Sequence, residues 1–167
     1  MATSSSSHAP ARPRGLLKWA FNVPRLLYRV HLGWLLGHRF LLLTHRGRKT
    51  GVLHQTILEV VRYDPRTRES TVLSAYGDRS DWYRNIQAHL ALELRTGRDR
   101  YTPAQRTLTP DETYTVLADY RRRYGPLLGL VLRYMGYAYT GKEEELRAIA
   151  AQTHAVGFRP REGGDVS

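Results

Sequence analysis

Apolar and polar positions alternate differently along this chain, and the changes of period mark its elements. Leu41-Leu42-Leu43 is an unbroken apolar run that gives way to Thr44 and His45, which predicts a first strand over residues 40–44. Residues 53–63 are rich in β-branched side chains and predict a second strand. Asp64-Pro65-Arg66-Thr67 has turn chemistry, and residues 69–75 predict a third strand with Val72 and Leu73 buried. In residues 90–96, Leu92 and Leu94 alternate with Glu93 and Arg95, so that strand has one wet face. Residues 100–103 complete a hairpin about Gly97, and residues 105–108 add a further strand.

Helical signals fall between and around these strands. Ser80 caps a helix over residues 81–89, with Asp81 favourably placed on its dipole. Thr109-Pro110-Asp111-Glu112 is a capping box with proline at the first helical position, and the helix runs to about Tyr124 before Gly125-Pro126. Residues 127–135 are apolar and predict a helix lying over a pocket. Thr140 with Glu143 is a second capping box, opening a helix to about His154. From Gly157 onward the chain reads as a tail with a short strand at Phe158. Ahead of the strands, residues 1–14 are Ser-rich and aperiodic. Residues 15–21 and 24–36 predict two helices, the second with Leu27, Val30 and Trp34 on one face and Arg25 and Arg29 to the side. This arm suits either an interfacial membrane contact or packing on its own domain. The predicted organisation is a disordered tail (1–14), one domain (15–160, with 15–37 the helical arm) and a second tail (161–167).

Composition narrows the partners more than the fold. A chain of 167 residues suits one domain, and 26 Lys and Arg against 15 Asp and Glu give a net charge of +11. Such an excess points to nucleic acid, an anionic membrane surface or an acidic small molecule. The basic residues are dispersed and no helix-turn-helix signature is present, which argues against nucleic acid; Arg121 to Arg123 are explained by a helix end. The chain has no cysteine, which excludes disulfides and thiolate metal sites and fits the cytoplasm. No apolar run is long enough to span a bilayer. No cluster has metal-ligand spacing, so no metal is expected.

The chemistry concentrates in Thr44-His45-Arg46-Gly47-Arg48-Lys49-Thr50-Gly51, between the first two strands. Two glycines permit close backbone approach or positive φ, and three fixed cations suit phosphate or carboxylate. Both a pocket for a polyanionic ligand and a solvated basic hairpin turn remain open readings of this stretch. It is not a phosphate loop of the G-x-x-x-x-G-K-[ST] kind.

Three segments taken together carry a resemblance: Leu42 to Gly51, a strand ending in Leu73-Ser74-Ala75-Tyr76-Gly77, and Asp81-Trp82-Tyr83-Arg84-Asn85-Ile86. In order and spacing they resemble the deazaflavin (F420)-dependent nitroreductase family of split β-barrel proteins. The resemblance covers roughly residues 40–124. It implies an α+β, mainly β fold, a split barrel of about six antiparallel strands with surrounding helices. It also implies the 8-hydroxy-5-deazaflavin coenzyme F420, whose tail carries a phosphodiester and glutamate carboxylates. By residue match, Gly47, Arg48, Lys49, Thr50 and Gly51, with Arg46, would hold the tail phosphate. Ser74, Ala75, Tyr76 and Gly77 would lie along the ring, with Trp82 and Asn85 closing the pocket. After the turn the family usually has Arg, then Asn or Thr, then Pro; this chain has His54, Thr56 and Ile57, so the resemblance makes His54 and Thr56 cofactor-binding residues beside the phosphate, with a weaker cation at His54.

Activity follows from the resemblance as a hydride passed from the reduced coenzyme to a hydrophobic, electron-poor acceptor such as an enone, quinone, nitro compound or lipid. Tyr124, Tyr134 and Tyr137, or solvent, are the candidate proton donors. Packing residues are the plainer account of the same tyrosines. The alternatives are an FMN-binding oxidoreductase and a non-catalytic lipid- or cofactor-binding barrel. A cytoplasmic monomer or homodimer, with membrane contact through the arm, completes the expectation.

Overall fold

The computed structural model describes residues 37–74 and 76–161. The readings made for residues 1–36, for Ala75 and for residues 162–167 lie outside the described residues, as does the side chain of Tyr134. Among the described residues, no helix is long and apolar enough to cross a membrane.

Strand β1 (Phe40–Arg46) explains the unbroken leucine run. It lies between β2 (Leu53–Asp64) and β4 (Glu93–Thr96), antiparallel to both. Leu41 and Leu43 enter an apolar cluster with Val60, Leu94 and Phe158, while Leu42 is buried on the opposite face. A strand covered on both faces has no reason to alternate.

Strand β2 carries the bend of the sheet. Its register shifts between Val60 and Arg62, a bulge that turns the strand. Before the bulge β2 pairs with β1; from Val60 onward it pairs with β3 (Glu69–Ser74). With β5 (Asp99–Tyr101), β6 (Pro103–Thr107) and β7 (His154–Pro160), the seven-stranded order is β5-β4-β1-β2-β3-β7-β6. Its two edges, β5 and β6, are separated in the chain by Thr102 alone, so the sheet curls until its ends nearly meet. The result is a split barrel.

The seventh strand corrects the tail reading. β7 (His154–Pro160) is an inner strand, paired with β3 on one side and β6 on the other. Ala155, Val156, Gly157 and Phe158 are all buried, and such a run again hides its period. Gly157 gives the Glu69 carboxylate room, because a Cβ there would lie 2.8 Å from its carbon and the side chain would have to shift. His154 therefore belongs to a strand and not to the preceding helix. Leu92 also differs from expectation: it precedes β4 and is exposed, while Leu94 is buried.

A second apolar layer covers the outer face of β2 and β3. Helices α2 (Pro110–Tyr124), α3 (Pro126–Tyr134) and α4 (Glu143–Gln152) meet there through Leu117, Tyr120, Leu128, Leu132, Leu146 and Ile149, against Val61 and Leu73. The Thr109–Glu112 capping box forms as the sequence predicts. The Thr140–Glu143 box does not. Thr140 donates to the Glu145 carboxylate instead, and Glu143 accepts from the Tyr114 hydroxyl at 2.8 Å.

Candidate functional site

Helix α1 (Asp81–Ala88) follows a short 3-10 turn (Gly77–Arg79) and packs beside the β1–β2 turn. Its apolar residues Trp82, Tyr83 and Ile86 enter the barrel core. Asp81 and Asn85, one helical turn apart, face the basic turn. Asn85 is buried, and its Oδ1 accepts from the Arg48 main-chain N–H at 3.1 Å and from the Arg48 guanidinium at 3.0 Å. The same guanidinium reaches the Asp81 carboxylate at 3.0 Å. Ser80 sits at the cap position, but its hydroxyl accepts from the Tyr76 N–H rather than capping the helix.

The two glycines of the turn serve different needs. Gly51 has φ +68°, a conformation that strains other residues. Gly47 lacks only room: a Cβ would lie 2.9 Å from Thr50 Oγ1 and 3.0 Å from His54 Nε2. Main-chain bonds Gly47 N–H to Val52 O and Gly51 N–H to Gly47 O, both 2.8 Å, close the turn.

Beneath the turn lies a buried histidine. His45 is 2% exposed and shares its inward face with Leu41 and Leu43. Its Nδ1 lies 3.2 Å from Asn85 Nδ2, and its Nε2 lies 3.0 Å from Thr56 Oγ1. The His54 ring stands 5.8 Å away. Burial, followed by the charge of His54, holds His45 below the usual histidine pKa of 6.5.

These groups bound a cleft of about 480 Å³, lined by Gly47, Arg48, Lys49, Thr50, His54, Gln55 and Thr56 from the turn and β2, by Asp81, Trp82 and Asn85 from α1, and by His45. A second hollow of about 400 Å³ lies across Arg48 and is lined by Asp78, Tyr83, Arg84, Gln87 and Ala88. His154 stacks on Tyr83 at 4.7 Å and meets Asp78 at 2.9 Å.

The sequence-predicted site residues divide into three groups. Gly47, Arg48, Lys49, Thr50, His54, Thr56, Trp82 and Asn85 line the larger cleft together. Gly51 shapes the turn, and Arg46 bonds back onto Gly51 O at 3.2 Å. Ser74 is buried and donates to Gly77 O at 2.8 Å, while Tyr76 is exposed; neither they nor Gly77 line this cleft. Tyr124 and Tyr137 stand apart from it. Tyr124 is 4.7 Å from Tyr120 and lies under the Arg39 guanidinium. The Tyr137 hydroxyl accepts from Thr153 at 3.0 Å within the helical layer.

His45, Gln55 and Asp81 line the cleft without having been picked out from sequence. For His45 a signal existed: it keeps step with Leu41 and Leu43, the inward positions of β1. For Asp81 it was the four-residue spacing to Asn85 on one helix face.

Fold and site together define the class: a split β-barrel with a basic cleft walled by its β1–β2 turn and by α1. A family model described as F420H(2)-dependent quinone reductase matches residues 29–126, more than half of the chain. The chain belongs to that family. It is a deazaflavin-dependent oxidoreductase, and F420, ahead of FMN, is the cofactor this membership implies. Comparison with curated proteins gives no match. Among solved structures, the conserved hypothetical protein Rv2991 from Mycobacterium tuberculosis is similar at 12% identity and a TM-score of 0.50, over 95% of this chain and 87% of that one. An F420-H2 dependent reductase (FDR-A) is similar at 16% identity and a TM-score of 0.46, over 72% of this chain and 95% of that one. HutZ, the heme storage protein from Vibrio cholerae, is similar at 11% identity and a TM-score of 0.48, over 84% and 94%.

Proposed function

We propose that this protein uses reduced F420 to reduce a hydrophobic, electron-poor acceptor, a quinone first among them, and that the cleft beneath the basic turn seats the coenzyme's anionic tail. The observation that carries this reading is the coupling of Arg48 to α1 through Asn85, which makes the turn one wall of a cleft instead of a free hairpin.

The residues present fit such a group. Arg48, Lys49, Thr50, His54 and Thr56 all offer donors to the cleft, and the one carboxylate in its lining, Asp81, is already paired with Arg48. Gly47 lets Thr50 Oγ1 and His54 Nε2 close in on the turn, where a Cβ would lie 2.9 and 3.0 Å from them. Charge-assisted bonds from Lys49 and Arg48 would fix a phosphate or carboxylate. Trp82 presents part of an otherwise buried ring to the cleft and limits water there. When bound, the coenzyme supplies the hydride; the protein orients it and screens it from water.

The test is fluorescence titration of the purified protein with F420, followed by oxidation of the reduced coenzyme with quinone, enone and nitro acceptors. Saturable binding and quinone-dependent oxidation are expected. A protein that ignores F420 but retains FMN through purification would replace this reading with the flavin one.

A further inference from the structure

We infer that His45 is a positioning residue: it fixes the direction of a hydrogen-bond chain that leaves the Thr56 hydroxyl as a donor to the cleft. This rests on the proposed reading of the cleft as the seat of an anionic group.

The direction follows from groups that have no choice. The Arg48 main-chain N–H can only donate, so the Asn85 atom 3.1 Å from it is the amide oxygen. The Arg48 guanidinium, also donor-only, meets the same atom at 3.0 Å. The other end of that amide is therefore NH2, and it donates to the His45 ring nitrogen 3.2 Å away. That nitrogen, Nδ1, must carry a lone pair. A neutral imidazole with a bare Nδ1 has its proton on Nε2, which lies 3.0 Å from Thr56 Oγ1. Thr56 thus accepts from His45, and its own proton is left for the cleft that it lines.

The reverse polarity is excluded by the same groups. A proton on Nδ1 would face the Asn85 NH2. Turning the amide to relieve that clash would set NH2 against both Arg48 donors. Burial independently favours the uncharged ring. The chain therefore starts at the main chain of the basic turn and ends in a hydroxyl whose free proton seeks an acceptor. The ligand atom opposite Thr56 is an acceptor oxygen: phosphate, carboxylate or carbonyl.

Two measurements on the full-length protein test this. Nitrogen NMR of histidine-labelled, ligand-free protein near neutral pH should show one ring, absent in H45Q, with a bare Nδ1 and a protonated Nε2. A protonated Nδ1 on that ring overturns the inference, whether or not F420 binds. F420 titration then reads the consequence. Thr56→Val should weaken binding about tenfold, the worth of one hydrogen bond, while Thr56→Ser stays near wild type. His45→Phe should weaken binding to a similar degree. His45→Gln, which can carry an N–H to the Nε2 position, should recover most of the loss. The H45F/T56V double variant should bind no worse than either single. Independent, additive losses, or an H45Q as weak as H45F, would reduce His45 to a packing residue. Should H45F not fold, the T56V and T56S pair together with the NMR still decide. A wild type that ignores F420 would refute the cofactor reading and leave the NMR result standing.

Discussion

Strand β2 faces two environments, and they use burial differently. On its inner side His54 and Thr56 line the cleft, where Asn85, His45 and Arg48 are joined by side-chain hydrogen bonds. On its outer side Val61 meets the helical layer, and Glu59 accepts from the buried Tyr120 at 3.1 Å. The first region is a buried polar network whose members specify one another's orientation. The second is an apolar interface in which the Tyr114, Tyr120 and Tyr137 hydroxyls each meet one partner, Glu143, Glu59 and Thr153. A buried network of the first kind is justified by a task as well as by stability. The apolar layer is accounted for by the area it removes from water.

The largest expected effect tests whether the two regions are separable. Leu132→Ala, at a fully buried position of α3, should lower stability by about 2–5 kcal/mol. The F420 affinity of the folded protein should not change. Denaturant unfolding and fluorescence titration of the same sample check both halves. A clear loss of affinity would mean that the helical layer takes part in binding.

The next effect falls on the other side. Replacing Arg48 and Lys49 together with Ala should cost binding on the order of 2–4 kcal/mol if both make charge-assisted contacts. The stability cost should stay at about 1 kcal/mol, because Asn85 Oδ1 loses the guanidinium but keeps the main-chain N–H of residue 48, and the Asp81 partner is 82% exposed. Unchanged affinity with unchanged stability would make the turn a solvated basic bend after all.

How much of this was legible depended on whether a residue's environment was local. The strands, the glycine turn and the Thr109 cap were readable because spacing and short-range chemistry determine them. The last strand was read only as a short piece at Phe158; its extension back through Val156 was hidden, since an inner strand buried on both faces shows no alternation. The second capping box failed because Glu143 had a long-range partner, Tyr114, that no local pattern contains. At the site, the residues carried by the resemblance divided by contact: Gly47 to Thr50 of the turn and Trp82 and Asn85 of α1 line the cleft, Arg46 bonds back onto Gly51, and Ser74 and Tyr76 bond within their own segment. His45 was hidden in plain view, reading as the end of a leucine strand until α1 brought Asn85 against it.

His45 also predicts a pH dependence smaller than these losses. Its folded pKa lies below the unfolded value near 6.5, so between the two the unfolded chain binds more protons. Its contribution is full above about 6.5 and is lost as the pH falls through the folded value. Glu93 and Glu112 are held below an ordinary carboxylate value of 4.5, so their losses come only at lower pH. Urea unfolding measured across the mildly acidic range should show this slope in the wild type and a flatter one in H45Q. An equal slope in both would assign it to another histidine.

The smallest expected effect bears on the tyrosines and is the sharpest test of the division. Tyr137 holds its hydroxyl 3.0 Å from Thr153, in the helical layer and away from the lining of the cleft. If it is a packing residue, Tyr137→Phe removes one hydrogen bond and costs about 1 kcal/mol of stability. The rate of acceptor reduction would then be unaltered, and solvent would remain as the proton source. A proton donor behaves otherwise: its loss lowers kcat by roughly a hundredfold or more while stability hardly changes. Tyr124, which is partly exposed and packed under Arg39, serves as the parallel case. A large kcat loss in either variant would bring the acceptor to the helical layer, and the two faces of β2 would then share one reaction.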